Sequence, residues 1–268
     1  MEKITSLQNP KIKEAIRLYD RKARKETDLF LIEGYRELLR AVQAGHVLQT
    51  LFFCPPFFLG ENERTLMKES GAQLFECSKE VFEKLSYRDR PDGLIAVALQ
   101  VHRTLDDLSE RLSNLASPPF LIVAESIEKP GNLGTIFRSA DAAGVDGVIV
   151  CDPTTDIHNP NVVRASVGTL FTQFVVEATT EETLLFLQER GISIVATTPH
   201  AKRLFTQADF TGPIAIGVGT EQIGLTEAWM QRANIQVRIP MFGIADSLNV
   251  ASATTLVLYE VVRQRRNP

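Results

Sequence analysis

Cysteine is scarce in this chain of 268 residues: Cys54, Cys77 and Cys151 are all it has, and no pair shows CxxC spacing. An odd number without that spacing argues against a disulfide framework or a structural zinc site and suits a reducing compartment. The four histidines, His46, His102, His158 and His200, are scattered without metal-ligand spacing, so no metal is expected. Long apolar runs are absent too. The richest, Leu51 to Leu59, is short and carries Pro55 and Pro56, far from the length of a spanning helix. The opening Met1-Glu2-Lys3-Ile4-Thr5-Ser6 lacks the apolar stretch of a secretion signal, which leaves a cytoplasmic protein without membrane contact as the expectation. Positive charge is in deficit, with 29 Lys and Arg against 33 Asp and Glu, a net −4. That excludes a wholesale polycation that coats DNA, but leaves room for a local nucleic-acid surface.

What is present is a core-forming chain, 44% apolar and long enough for one large domain or two ordinary ones. Asn9-Pro10 opens a first helix with a capping side chain and a proline at the first helical position. Ile12, Ala15, Ile16, Tyr19 and Ala23 then repeat at helical spacing as its inner face. The other face is basic: residues 1–25 hold eight basic and three acidic side chains, among them Lys11, Arg21, Lys22, Arg24 and Lys25. Strands are predicted at 29–33, 47–53, 73–77 and 93–101, with helices at 36–44, 61–70 and 79–87. Such alternation specifies an α/β layer domain.

A short helix at 105–112 leads into Ser113-Asn114-Leu115-Ala116-Ser117-Pro118-Pro119, a cluster of small, polar and proline residues. The expected division is therefore a domain at 1–103, a linker at 104–118 and a second domain at 119–268. The second half predicts strands at 120–124, 147–151, 174–176, 192–197, 214–219 and 235–239. Helices are predicted at 135–143, 226–233 and 250–265. This reads as a second α/β domain with a mostly parallel sheet.

Ligands in open α/β sheets sit beyond the carboxyl ends of strands. Three loops there carry residues a core would not select: 125–134, 217–225 and 239–249. Each has a plain structural reading. Gly131, Gly134 and the glycines of 217–224 let the chain turn, and neither loop has the GxGxxG spacing of a dinucleotide site. Asn132 caps a helix as readily as it serves chemistry, Arg138 reads as a solvated charge, and Glu221 favours the dipole of the helix after it. Ser247 or Asn249 must cap the last helix. Three such loops in one domain nevertheless converge as one pocket more readily than as three accidents.

The stretch Asn132-Leu133-Gly134-Thr135-Ile136-Phe137-Arg138-Ser139-Ala140-Asp141-Ala142-Ala143-Gly144 resembles the first motif of the SpoU family of RNA ribose 2′-O-methyltransferases. Gly219-Thr220-Glu221-Gln222-Ile223-Gly224-Leu225 is similar to its second motif. Ile239-Pro240-Met241 through Ser247-Leu248-Asn249-Val250 is similar to its third, followed by Leu258-Tyr259-Glu260 in the last helix. The resemblance spans roughly 120–266, in order. It extends weakly into the first half through Asn9-Pro10, Leu31-Ile32-Glu33-Gly34 and Asp92-Gly93-Leu94-Ile95-Ala96-Val97. Two departures stand out. Gln222 occupies a position where the family often has glycine and is expected to narrow the cofactor loop. Ala251-Ser252 replaces Ser-Val with a modest expected effect.

The resemblance implies an α/β catalytic domain with a deep trefoil knot, S-adenosylmethionine held in the knot's loops, and a homodimer with the site near its interface. No heptad or apolar stripe announces that interface. Carried over, Gly219, Ile239 and Leu248 line the cofactor, while Asn132, Arg138, Glu221, Ser247 and Asn249 form the catalytic set. The reaction so implied moves a sulfonium-bound methyl in line to a ribose 2′-oxygen. Its leaving group is already activated by charge and requires no metal. The family proposal gives proton removal to the arginine, here Arg138. A guanidinium ordinarily stays protonated, so fixing a neighbouring phosphate bidentately is the other role open to it.

The first domain resembles the small α/β/α RNA-binding domains of kink-turn-binding ribosomal proteins, and a basic helix beside it suits phosphate contacts. Large-subunit ribosomal RNA is the expected substrate. Transfer RNA is the alternative, and a non-catalytic RNA-binding protein on the same fold is another. A nucleotide-dependent oxidoreductase is disfavoured by the missing GxGxxG and by the third loop.

Overall fold

Asn9 accepts the Lys11 N–H at 2.9 Å and Pro10 fills the first helical position, so helix α1 (Pro10–Arg17) starts where expected. The computed structural model describes residues 2–266; the expected limits at 1 and 268 lie outside them. The single basic helix expected through residue 25 is two helices. Asp20 accepts the Lys22 N–H at 2.7 Å and caps a fresh start, α2 (Arg21–Thr27). The break frees the Leu18 and Tyr19 carbonyls, and both accept from Arg24 Nη1, at 2.8 and 3.0 Å. Arg24 Nε donates to Asp156 Oδ2 at 2.7 Å, and the residue is 1% exposed. The expectation that Arg24 contacts RNA is thereby corrected, because its guanidinium is committed inside the protein.

The first sheet is built from β1 (Glu2–Ile4), β2 (Leu29–Glu33), β3 (Leu48–Phe53), β4 (Gln73–Cys77) and β5 (Leu94–Leu99). Between them run α3 (Tyr35–Gln43), α4 (Glu63–Glu69) and α5 (Lys79–Leu85). The strand order is β1-β4-β3-β5-β2, with β5 antiparallel to both neighbours and the other pairs parallel. Phe52, Phe75, Phe82 and Ile95 fill its core together with Ile12 and Ala15 of α1.

The stretch expected as a linker contains α6 (Leu105–Ser113), whose Leu108 and Leu112 are buried with Leu121 and Ile149 of the following unit. That unit continues with β6 (Phe120–Glu125), α7 (Pro130–Ala143) and β7 (Gly147–Cys151). Residues Asp156–Thr172, including α8 (Pro160–Ser166), group instead with residues up to Val101. Arg24–Asp156 is one bond that holds them there. The second unit is thus His102–Thr155 with the residues from Gln173 onward, which departs from the expected division in both respects.

It resumes with β8 (Val175–Ala178), α9 (Thr180–Glu189), β9 (Ser193–Thr197), β10 (Arg203–Leu204) and β11 (Ile214–Val218). The final elements are α10 (Glu227–Arg232), β12 (Ile235–Arg238) and α11 (Val250–Arg266). Its seven strands run β10-β12-β9-β11-β6-β7-β8, every pair parallel. The central strands are buried throughout, which explains their continuous apolar reading. Among the described residues no helix is long and apolar enough to cross a membrane.

Candidate active site

Beyond the carboxyl end of β6 the chain enters α7 five residues earlier than predicted. Pro130 takes the first helical position and Lys129 precedes it without a side-chain cap bond. Asn132 therefore lies in the first turn of α7, and neither Gly131 nor Gly134 is loop. Beyond β11, residues 219–224 close on themselves: Thr220 N–H donates to the Gly224 carbonyl at 3.1 Å and Gly224 N–H returns to Thr220 at 2.9 Å. A Cβ on Gly219 would lie 2.1 Å from the Gly224 carbonyl oxygen. Glycine at 219 is thus demanded by the loop's own backbone. Gln222 is exposed at its tip.

Three of the five expected catalytic residues meet. Asn249 Nδ2 donates to Asn132 Oδ1 at 3.1 Å and to Glu221 Oε1 at 3.3 Å, and Asn132 Nδ2 donates to the same Glu221 Oε1. The other Glu221 oxygen accepts from Lys129 Nζ. Lys129 was not singled out by sequence; the signal for it is a lone cation just before a helix-opening proline, facing a loop that carries an acid. Asn249 also caps α11, its Oδ1 accepting from Ala251 N–H at 3.0 Å and Ser252 N–H at 3.4 Å. The plain and the functional readings of this residue both hold.

Arg138 and Ser247 are not drawn into the cluster. Arg138 is exposed on α7, six residues after Asn132, about 9 Å along the axis and about 120° round the helix. Ser247 is exposed in the 239–249 segment and bonds to none of the three.

Gly219 and Ile239 follow β11 and β12, the two strands that flank β9. At the end of β9, beside Val237, Thr197 has a buried hydroxyl without a hydrogen-bond partner. Leu248 is half exposed and Phe242 and Ile244 stand fully in solvent along the same segment. An orphaned hydroxyl and exposed apolar side chains at one sheet edge fit an amphipathic ligand with a flat ring and polar groups. Among the described residues no group of three His, Cys, Asp or Glu could hold a metal ion.

A parallel sheet whose carboxyl edge gathers Asn132, Glu221 and Asn249 from three separate segments defines a class, and the comparisons give its family. Residues 119–259 match the SpoU rRNA Methylase family and residues 9–96 match the MRM3-like substrate binding domain. The chain belongs to the SpoU rRNA Methylase family. It is 32% identical to the 23S rRNA (uridine(2479)-2′-O)-methyltransferase of Streptomyces viridochromogenes, over 92% of this chain and 87% of that one. A crystal structure of an RNA 2′-O ribose methyltransferase superposes with a TM-score of 0.85 at 43% identity, covering 98% of this chain and 99% of that one. The SpoU methyltransferase AviRb from Streptomyces viridochromogenes, in complex with AdoMet, gives a TM-score of 0.87 at 30% identity. That match covers 97% of this chain and 100% of that one.

Proposed function

We propose that this chain transfers a methyl group from S-adenosylmethionine to a ribose 2′-hydroxyl of large-subunit ribosomal RNA. The observation that carries the reading is the junction of Asn132, Glu221 and Asn249 at the carboxyl edge of the parallel sheet. The substrate class follows from the 23S ribosomal RNA named for the relative and from the substrate-binding domain in the first unit. When bound, S-adenosylmethionine supplies a methyl group on a positively charged sulfur.

Each residue would have its own task. The backbone at Gly219 and Ile239, with the side chain of Leu248 and the free hydroxyl of Thr197, would hold the cofactor. Glu221 is an organiser. Its oxygens accept from Lys129, Asn132 and Asn249, which leaves both asparagines oriented before substrate arrives. Their amides orient the ribose. Arg138, exposed about one and two-thirds turns further along α7, takes the phosphate beside the reacting sugar through two parallel N–H donors, and Ser247 hydrogen-bonds near the reacting oxygen. In the first unit Lys11, Arg21, Lys22 and Lys25 contact the RNA backbone; Arg24 does not.

The homodimer and the trefoil knot belong to the same reading. Leu256 and Tyr259 lie on one face of α11, 45% and 49% exposed, and Phe242 is 96% exposed nearby in sequence; these support a second copy covering them. The family match over residues 119–259 supports the knot. The deciding experiment incubates the purified protein with ribosomal RNA, transfer RNA and labelled cofactor, then maps the product. A 2′-O-methylated ribose in large-subunit RNA is the expected result. Methylation of transfer RNA alone, or of neither, would sink the substrate class or the activity respectively.

A further inference from the structure

Glu125 ends β6 and is 2% exposed, an unusual place for a carboxylate. Its Oε2 accepts the Thr226 N–H at 2.8 Å, and its Oε1 accepts the Thr226 hydroxyl at 2.7 Å and the Thr180 hydroxyl at 3.3 Å. The indole N–H of Trp229, itself fully buried, donates to Thr180 Oγ1 at 3.2 Å. One carboxylate therefore joins the end of β6 to the starts of α9 and α10. Thr226 is the residue before α10, yet its side chain makes no cap bond to that helix. Its hydroxyl is turned to Glu125 instead.

The placement matters because Glu125 and Thr226 each stand a few residues along the chain from a residue of the site. Asn132 lies seven residues after Glu125, and Glu221 lies five residues before Thr226. Asn132 and Glu221 bond to each other, and Glu125 and Thr226 bond to each other, so the four form a closed circuit, two links covalent and two hydrogen-bonded. The segment from Glu125 to Asn132 is held at further points. Ser126 takes a left-handed φ of 50° and donates its N–H to the Cys151 carbonyl at 2.9 Å. The Thr154 and Thr155 hydroxyls donate to the Ile127 and Glu128 carbonyls at 3.0 and 2.6 Å. A buried carboxylate is costly to desolvate, and apolar packing at the same place commonly stabilises a fold as well. What an apolar group would not do is fix the foot of one loop against the start of another.

We propose that Glu125 is a positioning residue of the methyl-transfer site, setting the spacing between Asn132 and Glu221 by gripping Thr226. The inference rests on the reading of those two residues as part of that site. Glu125→Ala breaks the circuit at its buried end. Cofactor affinity, kcat and the KM for RNA are measured on the full chain, with thermal unfolding to establish that it is folded. A loss of about tenfold to a hundredfold in kcat with the RNA KM unchanged is expected, because misplacing a reacting group by about 1 Å costs that much. Glu125→Gln should recover most of the loss, since its oxygen accepts from Thr226 N–H while the two hydroxyls turn to accept from its amide. Should Glu125→Ala not fold, Thr226→Val against Thr226→Ser reads the hydroxyl half of the link, the backbone N–H bond persisting in both: a smaller loss with valine, parental rate with serine. Parental kcat in a folded Glu125→Ala, or in Thr226→Val, would overturn the inference, as would a change confined to the RNA KM. Asn132→Ala run alongside separates the two levels. Parental transfer there overturns the site reading itself, whereas lost transfer there with parental Glu125→Ala overturns only the role of Glu125.

Discussion

Asn249 reaches Asn132 at 3.1 Å with its amide nitrogen while its amide oxygen caps α11. One side chain thus fixes both where the last helix begins and how the first-motif asparagine is turned. Asn249→Asp separates the two tasks. Aspartate caps as well as asparagine, so stability should stay within about 1 kcal/mol of the parent. The donor to Asn132 is removed, however, and a second negative charge faces Glu221. Methyl transfer should collapse in a variant that melts normally. A parental rate in Asn249→Asp would show that the Asn249–Asn132 bond has no part in the reaction.

Local signals account for what the sequence made legible. Strand β4 falls on the predicted residues 73–77 because Gly71 and the Ser78 cap bracket it. Helix α7 begins at Pro130, a helix-opening residue, and the sequence expectation of a later start comes from Gly131 and Gly134, which read as loop. Asn159-Pro160 repeats the Asn9-Pro10 signature and opens α8 in the same manner, Asn159 accepting the Asn161 N–H at 2.9 Å. That start was readable in principle. The grouping of Asp156–Thr172 with the first unit was not, since it depends on contacts more than a hundred residues apart, such as Arg24 with Asp156. In the candidate site, motif order points to Asn132, Glu221 and Asn249, the three side chains that meet. Lys129 is marked only by the helix-opening proline after it, and nothing in the sequence pairs it with Glu221, 92 residues on.

Arg24 should behave as a core residue. Arg24→Ala leaves the Asp156 carboxylate without its cation, held by the His158 N–H, and two carbonyls without their donor, and breaking a buried pair from one side costs about 3–5 kcal/mol. Arg24→Lys should restore only part of this, because an ammonium cannot span the carboxylate and both carbonyls as the guanidinium fork does. Denaturant midpoints of the three proteins measure the order. Equal midpoints would show that the buried fork contributes nothing.

The thiols should be inert at neutral pH. Burial pushes Cys77 and Cys151 up from 9.0 to about 12, and raises Cys54 in the same direction. A thiol held protonated by folding contributes stability that is intact below its unfolded value and disappears as pH rises through the folded one. Stability should therefore fall between pH 9 and 12 through Cys77 and Cys151. At pH 8 an aromatic disulfide reagent should label the native protein slowly and all three cysteines at once after denaturation. Rapid labelling of the native chain would contradict the burial.

The two units should fail differently when their cations are removed. Arg138 lies on α7 and not in the loop segments that carry Gly219, Ile239 and Leu248, so Arg138→Ala should leave S-adenosylmethionine affinity within a few-fold and abolish transfer. The basic face of the first unit needs a variant that spares Arg24. Lys13, Lys22 and Lys25 are exposed. Lys22 pairs with Glu26 at 3.8 Å, a long ion pair that is worth little at a surface. Replacing all three lysines by alanine should weaken RNA binding and flatten its salt dependence. The slope should drop by about 0.7–0.9 for each phosphate no longer neutralised, because fewer counterions are released. The chemical step on saturating RNA should survive. If the triple variant kept the parental salt slope, this face would be solvated surface and the RNA would lie elsewhere. If instead Arg138→Ala methylated RNA at the parental rate, the arginine would have to be removed from the site.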